Sequence, residues 1–198
     1  LEGKRTKFES MRAYVWERLD KTRTGFPILR EKNLSTLLNP DDCVRVYLDF
    51  ALDALVMFCP NQEGAFHGVP KGLTFRNWMQ GEEPLLPQPS LEDFKKHLTL
   101  LFPEVRPKGF LEIRSLDMQD FAWQMVPAIF YVGILYDENS LELAFELLKG
   151  DFMSLANLRT RACYGMKDKG IAEKAKKLFK LSQEGAYRLG SAHFSLSH

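Results

Sequence analysis

The stretch GFLEIRSLD, Gly109–Asp117, sets a carboxylate and a guanidinium two positions apart. On an extended chain residues i and i+2 share a face roughly 7 Å apart, so Glu112 and Arg114 project into one space while Leu111 and Ile113 face the other way. One reading is a solvated face with an exposed ion pair worth under about 1 kcal/mol. The other is a site for phosphate and metal together. Glutamate is a hard oxygen ligand suited to Mg²⁺, and arginine offers a planar fork to phosphate oxygens.

Other residues invite the same question. Arg12 and Trp16, in MRAYVW, are four apart and share a face if the segment is helical. Arg76 stands in TFRNW, and Arg23 in a D-x-x-RTG turn is either structural or directed at phosphate. His97 lies beside an apolar stripe and reads as a packed histidine, as does His67 in its glycine-flanked loop. Cys59 and Cys163 have no histidine near them in sequence, so covalent catalysis is not indicated. The lysines of KDKGIAEKAKKLFK read as a solvated helix face. No Walker loop, GxGxxG or HExxH occurs.

The elements that must position these residues are mostly helical. A helix begins after Asn39-Pro40-Asp41, carries Val44, Tyr47, Leu48, Ala51, Leu52 and Leu55 on one face, and stops before Pro60. A second opens at Ser90 with Asp93 as a capping-box acid and ends before Pro103. A third, Met118–Tyr136, is apolar nearly all round in its second half, which predicts a buried helix kinked or broken at Pro127. Ser140–Lys149 and Ile171–Leu189 read as amphipathic helices closed by Gly150 and Gly190. Residues 60–90, with Pro60, Pro70, Pro84, Pro87 and Pro89, form a loop-rich region around a short helix, Thr74–Gln80. The best strand is Phe110–Leu116. The fold class is α+β, dominated by helices with a small antiparallel sheet.

With 198 residues, 45% of them hydrophobic, the chain can build one substantial core or two small ones. A formal charge of +1 gives no reason to expect attraction to nucleic acid or membrane. Three unpaired-looking cysteines, Cys43, Cys59 and Cys163, argue against a disulfide framework and for a reducing compartment, read here as the cytoplasm. No cysteine–histidine cluster suggests zinc. The apolar run Met125–Tyr136 is about a dozen residues, short for a bilayer.

FPEVRPKGFLEIRSLD resembles the core motif of the glutamate–cysteine ligases, ATP-dependent enzymes that make γ-glutamylcysteine. SMRAYVWERLDKTRTGFP, VYLDFALDALVMF, LTFRNWMQGE, HLTLLFPEVR and VPAIFYVGILYD follow in that family's order, over about residues 1–150 and more weakly to the end. The pattern is closest to the plant-type and proteobacterial branch. It departs from it at Phe110, where plant-type members carry tyrosine, at Ser115, where they carry glycine after the arginine, and in ALDALVMF, which lacks their proline.

The resemblance implies that Glu112 ligates an active-site Mg²⁺ and that Arg114 reaches the ATP phosphates as catalytic and nucleotide-binding residue. It implies that Arg12 holds a glutamate carboxylate with Trp16 as pocket wall, and that Arg76 is a second substrate arginine. ATP and Mg²⁺ are the implied cofactors, with glutamate and cysteine as partners, on the glutamine-synthetase-like ligase scaffold. Residues 1–198 are then expected to be the C-terminal portion of the catalytic domain, partnered by an upstream half and inactive alone. The rivals are another carboxylate–amine ligase on this scaffold and a non-catalytic binding or regulatory module.

Overall fold

A computed structural model describes residues 6–25, 40–60, 66–67 and 69–190. In chain order the elements are α1 (Met11–Trp16), α2 (Lys21–Thr24), α3 (Pro40–Asp53), β1 (Cys59–Pro60), β2 (Phe66–His67), α4 (Phe75–Met79) and α5 (Leu91–Thr99). There follow β3 (Val105–Pro107), β4 (Leu111–Ile113), α6 (Val126–Leu135), α7 (Glu138–Leu148), α8 (Leu155–Ala162) and α9 (Lys169–Leu189). Short 3-10 turns occur at Phe121–Trp123, Lys149–Ser154 and Gly165–Lys167. The architecture is α+β, mostly helical with two small antiparallel hairpins. The chain divides into two compact units, Arg18–Ser115 and Leu1–Glu17 together with Leu116–His198.

In the unit Arg18–Ser115, Ala51 of α3, Ala54 just past it and Leu101 just past α5 form one core, with Phe50, Phe94 and Leu98 packed against them. Val56, Cys59, Leu73, Phe75 and Trp78 form the neighbouring core. Capping explains the boundaries. Ser90 and Asp93 complete the expected capping box at the start of α5. Thr74 accepts the Asn77 N–H at the start of α4. Arg23 is an interior clamp, donating to Leu100 O at 2.9 Å and Leu55 O at 2.7 Å. That satisfies carbonyls in a connection that regular structure leaves open.

The expected strand Phe110–Leu116 is only Leu111–Ile113, paired with β3 in the register Val105↔Ile113, Arg106↔Glu112 and Pro107↔Leu111. The turn passes through Gly109 at φ 78°, a left-handed conformation that glycine accepts at little cost. The orientation is also corrected. Leu111 is 67% exposed, so it does not anchor the back of the strand, whereas Glu112 and Arg114 are half-buried.

The second unit is built on α6, α7 and α9. Gly133 and Gly185 let α6 and α9 approach closely. A Cβ on Gly133 would lie 2.2 Å from Ser182 O, and one on Gly185 2.0 Å from Gly133 O. Ser140 on α7 donates to Leu181 O at 2.9 Å. The expected helix Met118–Tyr136 is corrected. The helix starts at Val126, and Pro127 sits in its first turn, where a missing N–H costs nothing. Nor is it buried throughout, since Gly133 and Ile134 are its buried residues. Gly150 does not close α7, because the chain continues into a 3-10 turn. Gly190, at φ 64°, does end α9. No helix among the described residues is long and apolar enough to cross a membrane.

Candidate functional site

The β3–β4 hairpin gathers three charged side chains. Arg106 and Glu112 are directly opposite across the ladder, and Arg106 Nε donates to Glu112 Oε2 at 2.6 Å. Arg114 Nη1 lies 3.4 Å from Glu112 Oε1. Arg106 also donates through Nη1 to Thr99 O at 3.0 Å and Leu101 O at 3.1 Å. The Phe102 ring faces both cations, 5.2 Å from Arg114 Cζ and 6.0 Å from Arg106 Cζ. The Arg106 hydrogen bond holds the Glu112 carboxyl below the usual carboxylate range, and the charges of Arg106, Arg114 and Lys108 add to it. The cluster carries two cations and one anion, a surplus of positive charge suited to phosphate oxygens.

Sequence spacing paired Glu112 with Arg114, and the structure brings them together. It missed Arg106. The signal was present: folding the sequence about Gly109 sets Arg106 opposite Glu112. The short β3, with Pro103 just ahead of it and Pro107 as its last residue, concealed it, since proline reads as a strand breaker.

For Mg²⁺, Glu112 offers one hard oxygen donor whose Oε2 is engaged by Arg106. Among the described residues no three Asp, Glu, His or Cys side chains converge as a metal site. This donor set fits one position of a Mg²⁺ shell, because that ion is held by one or two carboxylates with water and substrate phosphate supplying the rest.

In the same unit Arg76 pairs elsewhere, its Nε donating to Asp53 at 2.6 Å and Nη2 to Asp49 at 2.8 Å. These bonds raise its pKa and keep it charged. They also occupy two corners of the fork. His97 is buried against Phe75 and Phe94, its Nε2–H meeting Ala51 O at 2.8 Å. Burial pushes the Cys59 thiol up to about 11, which suits a packing role. The His67 side chain lies outside the described residues.

In the other unit Arg12 stacks on Trp16, with Cζ 4.4 Å from the ring centroid. This is the shared face that the four-residue spacing predicts. Ser10 caps α1, accepting the Ala13 N–H at 3.0 Å, and Asp117 accepts the Arg12 N–H at 3.2 Å. Asp117, the last residue of the LEIRSLD motif, is a second residue that sequence reasoning passed over.

A family model for glutamate-cysteine ligase family 2 matches residues 1–181. The chain is 37% identical over 150 residues to a chloroplastic glutamate–cysteine ligase of Medicago truncatula, covering 74% of this chain and 27% of the relative. It is equally similar to that of Arabidopsis thaliana, and 34% identical over 143 residues to ligase A of Oryza sativa subsp. japonica. The chain thus spans about a quarter of the length of these relatives. The expectation of a cytoplasmic location is overturned, since these relatives are named as chloroplastic. Free-thiol usage reports a redox environment, not an address. With 181 of its residues matched, the chain belongs to glutamate-cysteine ligase family 2.

Proposed function

We propose that the chain is the C-terminal portion of a catalytic domain that joins the γ-carboxylate of glutamate to the amine of cysteine, on a glutamine-synthetase-like scaffold. The observation that carries this reading is the Arg106–Glu112–Arg114 cluster, on a hairpin whose sequence resembles the core motif of the glutamate–cysteine ligases.

In the proposed reaction the γ-carboxylate oxygen attacks the γ-phosphorus of ATP and ADP leaves. The cysteine amine then attacks the acyl carbon of γ-glutamyl phosphate. Phosphate departs, and the amine loses a proton. Arg114 draws off charge from the phosphoryl oxygens during the first transfer, the electrostatic stabilisation that dominates such reactions. A Mg²⁺ ion held at Glu112 would neutralise phosphate charge when bound. Arg12 grips a glutamate carboxylate against the Trp16 wall. Arg76 gives the second grip through the part of its fork that Asp49 and Asp53 do not occupy.

The test is ADP release by the full-length parent with glutamate and cysteine. Arg114→Ala is expected to lower kcat by about 10³-fold, in the range for removing a transition-state cation. Unchanged turnover in that variant would refute the role. The 198 residues alone are expected to release no ADP above background. Activity with a different amine and none with cysteine would favour another ligase of the scaffold.

A further inference from the structure

Arg106 is the most enclosed cation of the β3–β4 hairpin, 7% exposed. Its planar fork has three fixed hydrogen bonds. Two go to Thr99 O, at the C-terminal end of α5, and to Leu101 O, just beyond its cap. The third is the 2.6 Å bond to Glu112 Oε2. A residue whose work was only to tie α5 to the hairpin would need the first two alone, and an ammonium could make them. The third bond uses the geometry that only a guanidinium has, a second donor at a set angle to the first. It fixes the rotation of the carboxylate opposite. Glu112 then turns Oε2 inward and Oε1 toward Arg114.

We infer that Arg106 is a positioning residue for the nucleotide end of the site, holding Glu112 by Oε2 so that Oε1 and the Arg114 guanidinium are what a phosphate–metal ligand meets. The inference rests on the proposed ligase reading and deepens it. Arg106 acts through Glu112 and touches no reacting atom. Supporting groups of this kind cost about 10–100-fold in metal affinity or activity when altered.

The experiment uses the full-length parent and the variants Arg106→Lys, Arg106→Gln and Glu112→Gln, with the double variant Arg106→Lys/Glu112→Gln. Binding of ATP with Mg²⁺ is measured by calorimetry beside KM for ATP and for glutamate and the melting temperature. Lysine preserves a cation for the two carbonyls, so Arg106→Lys is expected to fold. It is expected to weaken Mg–ATP binding about tenfold and to leave KM for glutamate within about twofold. In the Glu112→Gln background the same change is expected to add nothing, since both variants break one unit.

Additive effects in the double variant, or a lowered melting temperature with unchanged nucleotide affinity, would overturn the inference and leave Arg106 a structural clamp. If the wild-type parent binds Mg–ATP but makes no γ-glutamylcysteine, the ligase reading fails. The affinities of the variants then still decide the inference. If it binds no nucleotide, both fail.

Discussion

Asp117 accepts the backbone N–H of Arg12 at 3.2 Å, closing a contact between residues 105 apart in sequence. The helix so capped has only six residues and presents Arg12 stacked on Trp16. Helices this short do not persist alone, so their caps decide whether they form. Asp117→Ala is expected to loosen α1 by about 1 kcal/mol. In the parent ligase this should raise KM for glutamate roughly fivefold while KM for ATP holds. Asp117→Asn keeps an acceptor oxygen and should be milder. Steady-state kinetics with each substrate varied in turn checks this, and equal effects on both substrates would contradict it.

The α6–α9 crossing predicts a strong size limit. A methyl group at Gly185 would meet Gly133 O at 2.0 Å and Ser140 Oγ at 2.7 Å. Backbone cannot yield as a flexible side chain would. Gly185→Ala is expected to destabilise this unit by about 1–3 kcal/mol through overpacking. Denaturant unfolding followed by circular dichroism is the measurement. Gly150→Ala, where a Cβ meets nothing within 4 Å, is the control and should shift the midpoint far less.

His97 predicts a pH dependence in the unit Arg18–Ser115. Its Nε2–H donates to Ala51 O, and among the described residues its buried Nδ1 has no hydrogen-bond partner. Burial lowers its pKa, so the folded chain takes up a proton less readily than the unfolded one. The stabilisation from the neutral ring is therefore complete above the unfolded value, near pH 6.5, and is lost as pH falls below it. An NMR titration should place the His97 midpoint below 6.5, and a midpoint above it would refute the assignment.

Asp168 predicts an acid limb in the other unit. Hydrogen bonds from Arg161, then the Ile171 N–H at the start of α9, lower its pKa to about 2. The contribution is fully present above the unfolded carboxylate value, roughly pH 4. It is lost as pH falls through about 2. The stability difference between wild type and Asp168→Asn should therefore shrink between those two values in unfolding curves. A difference that stays constant over that window would show that the carboxylate charge contributes nothing.

What the sequence disclosed follows the range of the forces involved. Ser90 with Asp93 is a contact over three residues, and it marked the start of α5 closely. The four-residue interval from Arg12 to Trp16 and the two-residue interval from Glu112 to Arg114 were legible for the same reason. Pro127 was misread because proline is favourable in a first turn and disruptive further on, and its position in the helix was not known beforehand. Arg106 and Asp117 were passed over because their partners are set by a hairpin register and by a contact spanning most of the chain. The acceptors of Arg76, Asp49 and Asp53, are likewise distant in sequence. Leu111 shows the limit of alternation, since a two-stranded hairpin does not decide which face is covered.

One of the two units is interrupted by the other, for Arg18–Ser115 is continuous while its neighbour draws on chain from both sides. On a translating ribosome the continuous piece is complete before the second half of the other has been made. The Glu9 and Ser10 amides that bond to Cys163 O must wait for that residue to emerge. Until then α1 lacks that anchor, so the first of the described helices settles only after chain far downstream of it has been made. Prior compaction of the intervening piece shortens the effective loop that this late docking must close.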